Sequence, residues 1–310
     1  MLSNPFTTQD GDVILRAGPE PDSKHDFRVH KVVLALVSHV FKDLFLTARP
    51  DGGDGDPLPV VDITDPPENV DLLLRFVYPG LVLPTSTEPA KLSALLTIAD
   101  KYDIRKIPLD VKRIFAGEEA LKIDPFGVYT LARHWGFAEE AKGAARRMTL
   151  AKIRKSPFSK DPQSLANEDF FRLLWFMEKR GDEAKKTIRT FLVSWEKYDD
   201  PDGNTPCVLC HRHTGDQARE FFRYLAERII MEFDLNPCLD DRDLARVFTR
   251  GPAPPNAGPC EEQGEEQDYF TVCCPLKQGN IVNDLDGLAR RLESLCERYL
   301  EKAMDGEPPA

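Results

Sequence analysis

The densest group of soft ligands in this sequence is Cys207-Val208-Leu209-Cys210-His211-Arg212-His213, and none of the seven cysteines precedes Cys207. Two thiols in Cys-x-x-Cys spacing with imidazoles beside them form one half of many tetrahedral zinc sites. Four ligands within seven positions surround a single ion poorly, so a ligand from farther along the chain is needed. The expected zinc set is Cys207, Cys210, His213 and Cys273, with His211, Cys238 and Cys274 as alternatives. The competing reading is a surface loop of reduced, unliganded thiols, because an odd cysteine count without a secretory pattern argues against a disulfide framework. The first five residues also spell Cys-x-x-Cys-His, but covalent haem attachment belongs to compartments that nothing in the sequence addresses. Thiol-redox chemistry at Cys207 and Cys210 lacks the βαβ frame that normally supports it.

Other chemistry finds less support. There is no phosphate loop, no Gly-x-Ser-x-Gly elbow and no His-Glu-x-x-His. Gly52-Gly53-Asp54-Gly55 is glycine-rich but has neither the lysine nor the strand-to-helix setting of a phosphate cradle. His30 and His39 flank an apolar helix without a nucleophile motif, which suits helix-terminal histidines better than a catalytic base. Nothing in the sequence asks for an enzyme. A net charge of −11 opposes binding to nucleic acid or to an anionic membrane surface. No apolar run approaches the ~20 residues of a membrane helix. The expectation is a soluble intracellular protein, cytoplasmic or nuclear, with enough apolar residues, 41% of 310, for two domains.

The elements that would position any site are legible in the patterning. Val13, Ile14 and Leu15 form a short apolar run, Gly18 to Ser23 is a cluster of turn residues, and Phe27 and Val29 alternate with polar neighbours. That pattern predicts a β-hairpin with a long loop. From Val32 to Val37 every residue is apolar, so this helix is expected to lie inside the domain. Ser38 interrupts the run as the N-cap of a second helix that carries Val40, Phe41, Leu44 and Phe45. Asp65 is expected to cap the next helix, with Pro66 in its first turn and Glu68 completing a capping box. Leu92, Leu95, Leu96 and Ala99 mark a further helix, and Ile107, Val111, Ile114 and Phe115 another.

Thr97-Ile98-Ala99-Asp100-Lys101-Tyr102-Asp103-Ile104 is echoed by Thr130-Leu131-Ala132-Arg133-His134-Trp135-Gly136-Phe137, 33 positions on. Two copies are too few for a solenoid. They suggest either stacked helix pairs or two amphipathic helices of independent origin. The C-terminal half reads as helical. Ala184, Ile188 and Phe191 step along one face, Thr214 and Gln217 suggest a capping box, and Leu285, Leu288, Leu292, Leu295 and Tyr299 form a heptad-like seam. That seam is expected to pack within its own domain in preference to a second chain. Residues 251–268 are rich in Gly, Pro and acid and read as a disordered loop.

Asp12-Val13, Phe27, Val29-His30-Lys31, Leu34, Ser38, Phe41 and Leu44-Phe45 together resemble the signature of the BTB/POZ domain. Val60-Val61-Asp62-Ile63 resembles that family's third strand, Leu73 to Gly80 the helix after it, and Leu95 to Ile104 the next. The resemblance covers roughly the first third of the chain, and the overall layout is similar to fungal BTB proteins with a helical tail. It implies an α/β (α+β) fold: a small sheet with clustered helices over residues 8–116, then a helical extension over 117–155 and an all-helical region over 163–304.

The resemblance also implies a protein-interaction module or adaptor that self-associates, as a homodimer, or recruits protein partners. The implied contact residues are Asp12, Lys31, Phe41, Leu44 and Phe45, with Asp12 and Lys31 lining a charged pocket or forming a structural ion pair. Some relatives of this kind deliver substrates to cullin-type ubiquitin ligases. Two departures weigh on these implications. About eleven residues precede Asp12, too few for the strand that longer forms exchange. Leu46 to Pro59 contains no glutamate, where cullin-binding members carry a hydrophobic-x-Glu motif.

Overall fold

The computed structural model describes residues 6, 10–20, 24–47, 49–50, 58–79, 88–160, 165–193, 215–239, 242–244, 247 and 278–304. The chain forms two compact units, residues 1–140 and 141–310.

In the first unit, β1 (Val13–Ala17) and β2 (His25–Val29) make the expected hairpin, with Val13 opposite Val29 and Ala17 opposite His25. Alternation places Val13, Leu15 and Ala17 on one buried face and Phe27 and Val29 beside them. A two-residue strand β3 (Arg49–Pro50) pairs antiparallel with β4 (Pro59–Ile63), and β4 lies parallel to β1 with Ile14 opposite Val60. The sheet order is β2-β1-β4-β3. Two parallel neighbours require a long crossover. The chain between them carries α1 (Lys31–Val37) and α2 (His39–Thr47).

Ser38 joins those two helices. Its N–H closes α1 on the Leu34 carbonyl at 3.0 Å, and its Oγ accepts the Phe41 N–H at 3.0 Å to open α2. The run Val32 to Val37, however, is not enclosed. Leu34 is fully buried, whereas Val32 is 63% and Leu36 80% exposed. A seven-residue helix lying on a surface turns one side inward whatever its composition, and here that side is Leu34.

The helix α3 (Pro67–Val77) also departs from expectation at its start. Pro66 is the N-cap and no side chain caps the helix. Asp65 is drawn away by tertiary partners, accepting the Lys101 ammonium at 2.7 Å and the Tyr102 hydroxyl at 2.5 Å. Val70, Leu73, Leu74, Phe76 and Val77 bury its inner face. Then follow α4 (Pro89–Lys101), α5 (Lys106–Ala116), α6 (Glu118–Ile123) and α7 (Pro125–His134). Asp124 caps α7 by accepting the Gly127 N–H at 2.9 Å. A Cβ on Gly127 would meet Pro89 Cγ at 2.8 Å, so glycine lets the starts of α4 and α7 approach.

The sequence echo becomes one local geometry used twice. At the end of α4, Ile104 N–H reaches Ala99 O at 2.9 Å and Asp103 N–H reaches Asp100 O at 3.1 Å. At the end of α7, Phe137 N–H reaches Ala132 O at 2.7 Å and Gly136 N–H reaches Arg133 O at 3.3 Å. Both are Schellman endings, which need a left-handed residue at one position and an apolar one after it. Asp103 (φ 46°) and Gly136 (φ 69°) supply the first, and buried Ile104 and Phe137 the second.

The regular elements among the second unit's described residues are all helices. It contains the end of α8 (Ala138–Arg146), then α9 (Leu150–Lys155), α10 (Asn167–Val193), α11 (Gly215–Leu235) and α12 (Gln278–Met304). The helix α10 packs on both α11 and α12. Ile188, Phe191, Ile229, Phe233, Leu288 and Leu292 meet in its core. Burial of Leu285, Leu288 and Leu292 there means that the seam on α12 faces its own unit. Arg180, 4% exposed, reaches the carbonyls of Arg146 at 2.7 Å and Met148 at 2.9 Å and so closes the end of α8. Arg146 holds Glu297 of α12 through two bonds of 2.6 and 2.8 Å.

Candidate interaction surface

The start of α1 is fixed from three directions. Asp12, just before β1, bonds Val29 O through its own N–H at 3.0 Å, and its Oδ1 accepts the Lys31 N–H at 2.7 Å. A carboxylate at that place satisfies an otherwise orphaned donor and favours the helix dipole. His30 donates its N–H to the Tyr78 hydroxyl at 2.7 Å, and Phe6 packs edge-on against Tyr78 with ring centres 5.3 Å apart. Burial raises the Tyr78 pKa, opposed by the His30 hydrogen bond and assisted by Asp12 and Asp10, so the hydroxyl stays neutral. Asp12 and Lys31 therefore meet through the Lys31 backbone.

On this support α1 presents Val32 and Leu36, four residues apart and hence on one side of a helix. Leu46, 80% exposed, is a third large apolar residue, at the end of α2. Among the residues singled out from the sequence, Phe41 is fully buried and stacked on Tyr102, with ring centres 4.4 Å apart and planes within 13°. Phe45 stacks on Phe41 at 6.0 Å. Leu44, Phe45 and Lys31 are half-buried. Phe41 thus acts from beneath the surface, while the outward groups are Val32, Leu36 and Leu46. The continuous apolar run contained their signal, but composition could not say which side of the helix was wet.

The zinc expectation is corrected. Among the described residues no group of three or more His, Cys, Asp and Glu side chains is placed to hold a metal ion. Cys207, Cys210, His211, His213, Cys273 and Cys274 lie outside the described residues, as does the 251–268 loop. The remaining alternative, Cys238, has a setting unfavourable to a cation. Its thiol donates to the Arg146 carbonyl at 3.3 Å, and Arg147, Arg180, Lys152 and Arg146 act on it electrostatically. Desolvation of the sulfur still raises its pKa, although the residue keeps an exposed surface. Cys296 is buried, and burial pushes its pKa up to about 11.

Residues 4–114 match the family model of the BTB/POZ domain. The chain carries an N-terminal BTB/POZ domain followed by an all-helical region. Such domains are non-catalytic protein-interaction modules. No curated protein matches the chain. Among the described residues no helix is long and apolar enough to cross a membrane.

Proposed function

We propose that the protein is an adaptor whose BTB/POZ domain, over residues 8–116, associates with a second copy of itself through the outer side of α1. The observation that carries this reading is the exposure of Val32 and Leu36 on a helix whose start is held rigidly by Asp12, His30 and Tyr78. Large apolar side chains side by side on a fixed element favour burial against a partner, and an isologous pair buries each of them twice.

Magnitudes bound the affinity. Covering an exposed Val or Leu is worth about 1.5–3 kcal/mol, so two from each copy supply roughly 6–12 kcal/mol gross. Association itself costs about 4–15 kcal/mol, and a micromolar pairing needs about 8 kcal/mol net, so the stripe must be supported from its rim to reach that range. Lys31, next to Val32 in sequence, and exposed Leu46 at the end of α2 are the groups we assign to that support. A cullin-type scaffold is a less supported occupant, since the 46–59 segment lacks the glutamate such partners use.

Hydrogen exchange of the full chain at two concentrations tests the proposal. Amides of residues 31–37 should become more protected at the higher concentration. Protection that changes elsewhere, with 31–37 unaffected, would contradict it.

A further inference from the structure

The cations of α10 are treated differently on its two sides. Toward α11, Lys185 pairs with Asp234 at 3.2 Å and Arg189 with Glu227 at 3.0 Å. Toward α12, Lys186 lines a groove of about 530 Å³ whose other cations are Arg290, Arg291 and Arg298, all on α12. Glu183 is the one acid in its lining, 4.0 Å from Lys186. Asp286 occupies Arg290 from one turn earlier. The guanidinium of Arg291 lies over the Phe191 ring at 5.9 Å and that of Arg298 over the Tyr299 ring at 5.0 Å, and neither has a carboxylate partner among the described residues. A chain with net charge −11 has thus gathered surplus positive charge in one place.

The groove carries more than charge. Thr187, Thr190 and Ser294 add hydroxyls, and Phe191 and half-buried Leu295 add an apolar floor. Arg291 and Arg298 are seven positions apart on α12, which separates them by about 10 Å along the axis, with Leu295 between them. A guanidinium over an aromatic ring can still offer N–H donors to carboxylates, and its fork geometry suits it to the task.

We infer that the groove between α10 and α12 is a docking site for an acidic segment of a partner protein, one in which carboxylates flank an apolar side chain. The apolar residue rests on Phe191 and Leu295. The flanking carboxylates engage Arg291 and Arg298, with Lys186 closing the opposite wall. The groove belongs to a different unit from α1 and gives the adaptor a second, electrostatically selective contact.

The test is fluorescence anisotropy of the full-length chain with a labelled peptide in which pairs of glutamates flank a leucine. Binding is expected at low salt and should weaken steeply as added salt shortens the screening length below ~10 Å. Reversing charge in the double variant Arg291→Glu with Arg298→Glu should weaken binding at least tenfold, and Lys186→Glu on the facing helix should weaken it independently. These side chains are exposed or at the rim, and circular dichroism checks that the fold is retained. Three results would overturn the inference: unchanged affinity in both variants, equal binding of a peptide with lysines in place of glutamates, or no binding at low salt. A tenfold gain in affinity when Glu261, Glu262, Glu265 and Glu266 become glutamine would also overturn it, because the occupant would then be the chain's own acidic run. Since α1 belongs to the other unit, failure here leaves its association intact and readable.

Discussion

Asp103 and Gly136 occupy the same left-handed position in two Schellman endings 33 residues apart, with φ of 46° and 69°. One copy uses glycine, for which that conformation is free, and the other aspartate, which tolerates it and also holds His39 at 2.9 Å. Nothing lies within 4 Å of a Cβ built on Gly136, so any cost of adding one is conformational and not a clash. Gly136→Ala should therefore lower stability by about 1 kcal/mol in urea denaturation, and Gly136→Asn by less.

Ser38 connects the α1–α2 junction to the end of α4. Its hydroxyl donates to Tyr102 O at 2.5 Å while its oxygen caps α2, and the residue is buried. Ser38→Ala removes both bonds at a buried site. A loss of about 2 kcal/mol is expected in the same assay, the sum of a helix cap and a buried carbonyl left without its donor.

The hydroxyl of Tyr102 gives the first unit a pH limit. Burial raises its pKa above the ordinary value, and the hydrogen bond to Asp65 and that group's charge raise it further. The unfolded chain releases this proton near pH 10 and the folded chain does not. Unfolding is therefore increasingly favoured as pH rises past about 10, and the stabilisation is fully present below it. Thermal midpoints measured from pH 8 to 11 should fall at the upper end, and Tyr102→Phe should flatten the fall while lowering stability at pH 8.

Arg180 is a structural cation. Burial lowers its pKa, yet an arginine side chain keeps its charge and spends it on carbonyls at the end of α8. Arg180→Met should cost about 3 kcal/mol, because those carbonyls lose charged donors in a dry site. Arg180→Lys should recover only part of that, since one ammonium cannot reproduce the planar fork. Differential scanning calorimetry of the second unit's transition checks both.

What the sequence made legible was local. The caps at the Ser38 junction and the twin helix endings depend on neighbours within six residues or so, and the hairpin pairs residues no more than 16 apart, so their patterns survive folding unchanged. Asp65 was illegible for the opposite reason. Its capping role follows from nearby residues, but Lys101 and Tyr102, 36 and 37 positions away, compete for the same carboxylate and win it. Val32 and Leu36 were misread as enclosed because a run without polar residues gives no clue to which side is covered. Leu285, Leu288 and Leu292 show the complementary limit. Their spacing identified a seam, and only packing against α10 decided what covers it. The groove cations on α10 and α12 lie about a hundred positions apart in sequence, so no short motif announces them.

The most direct test of the α1 reading is sedimentation equilibrium of the full-length chain, wild type against Val32→Asp with Leu36→Asp, at concentrations from about 1 to 100 μM. The mass should rise toward two chains for the wild type and stay at one chain for the variant. A single-chain mass for both, or an unchanged pairing in the variant, would contradict that reading.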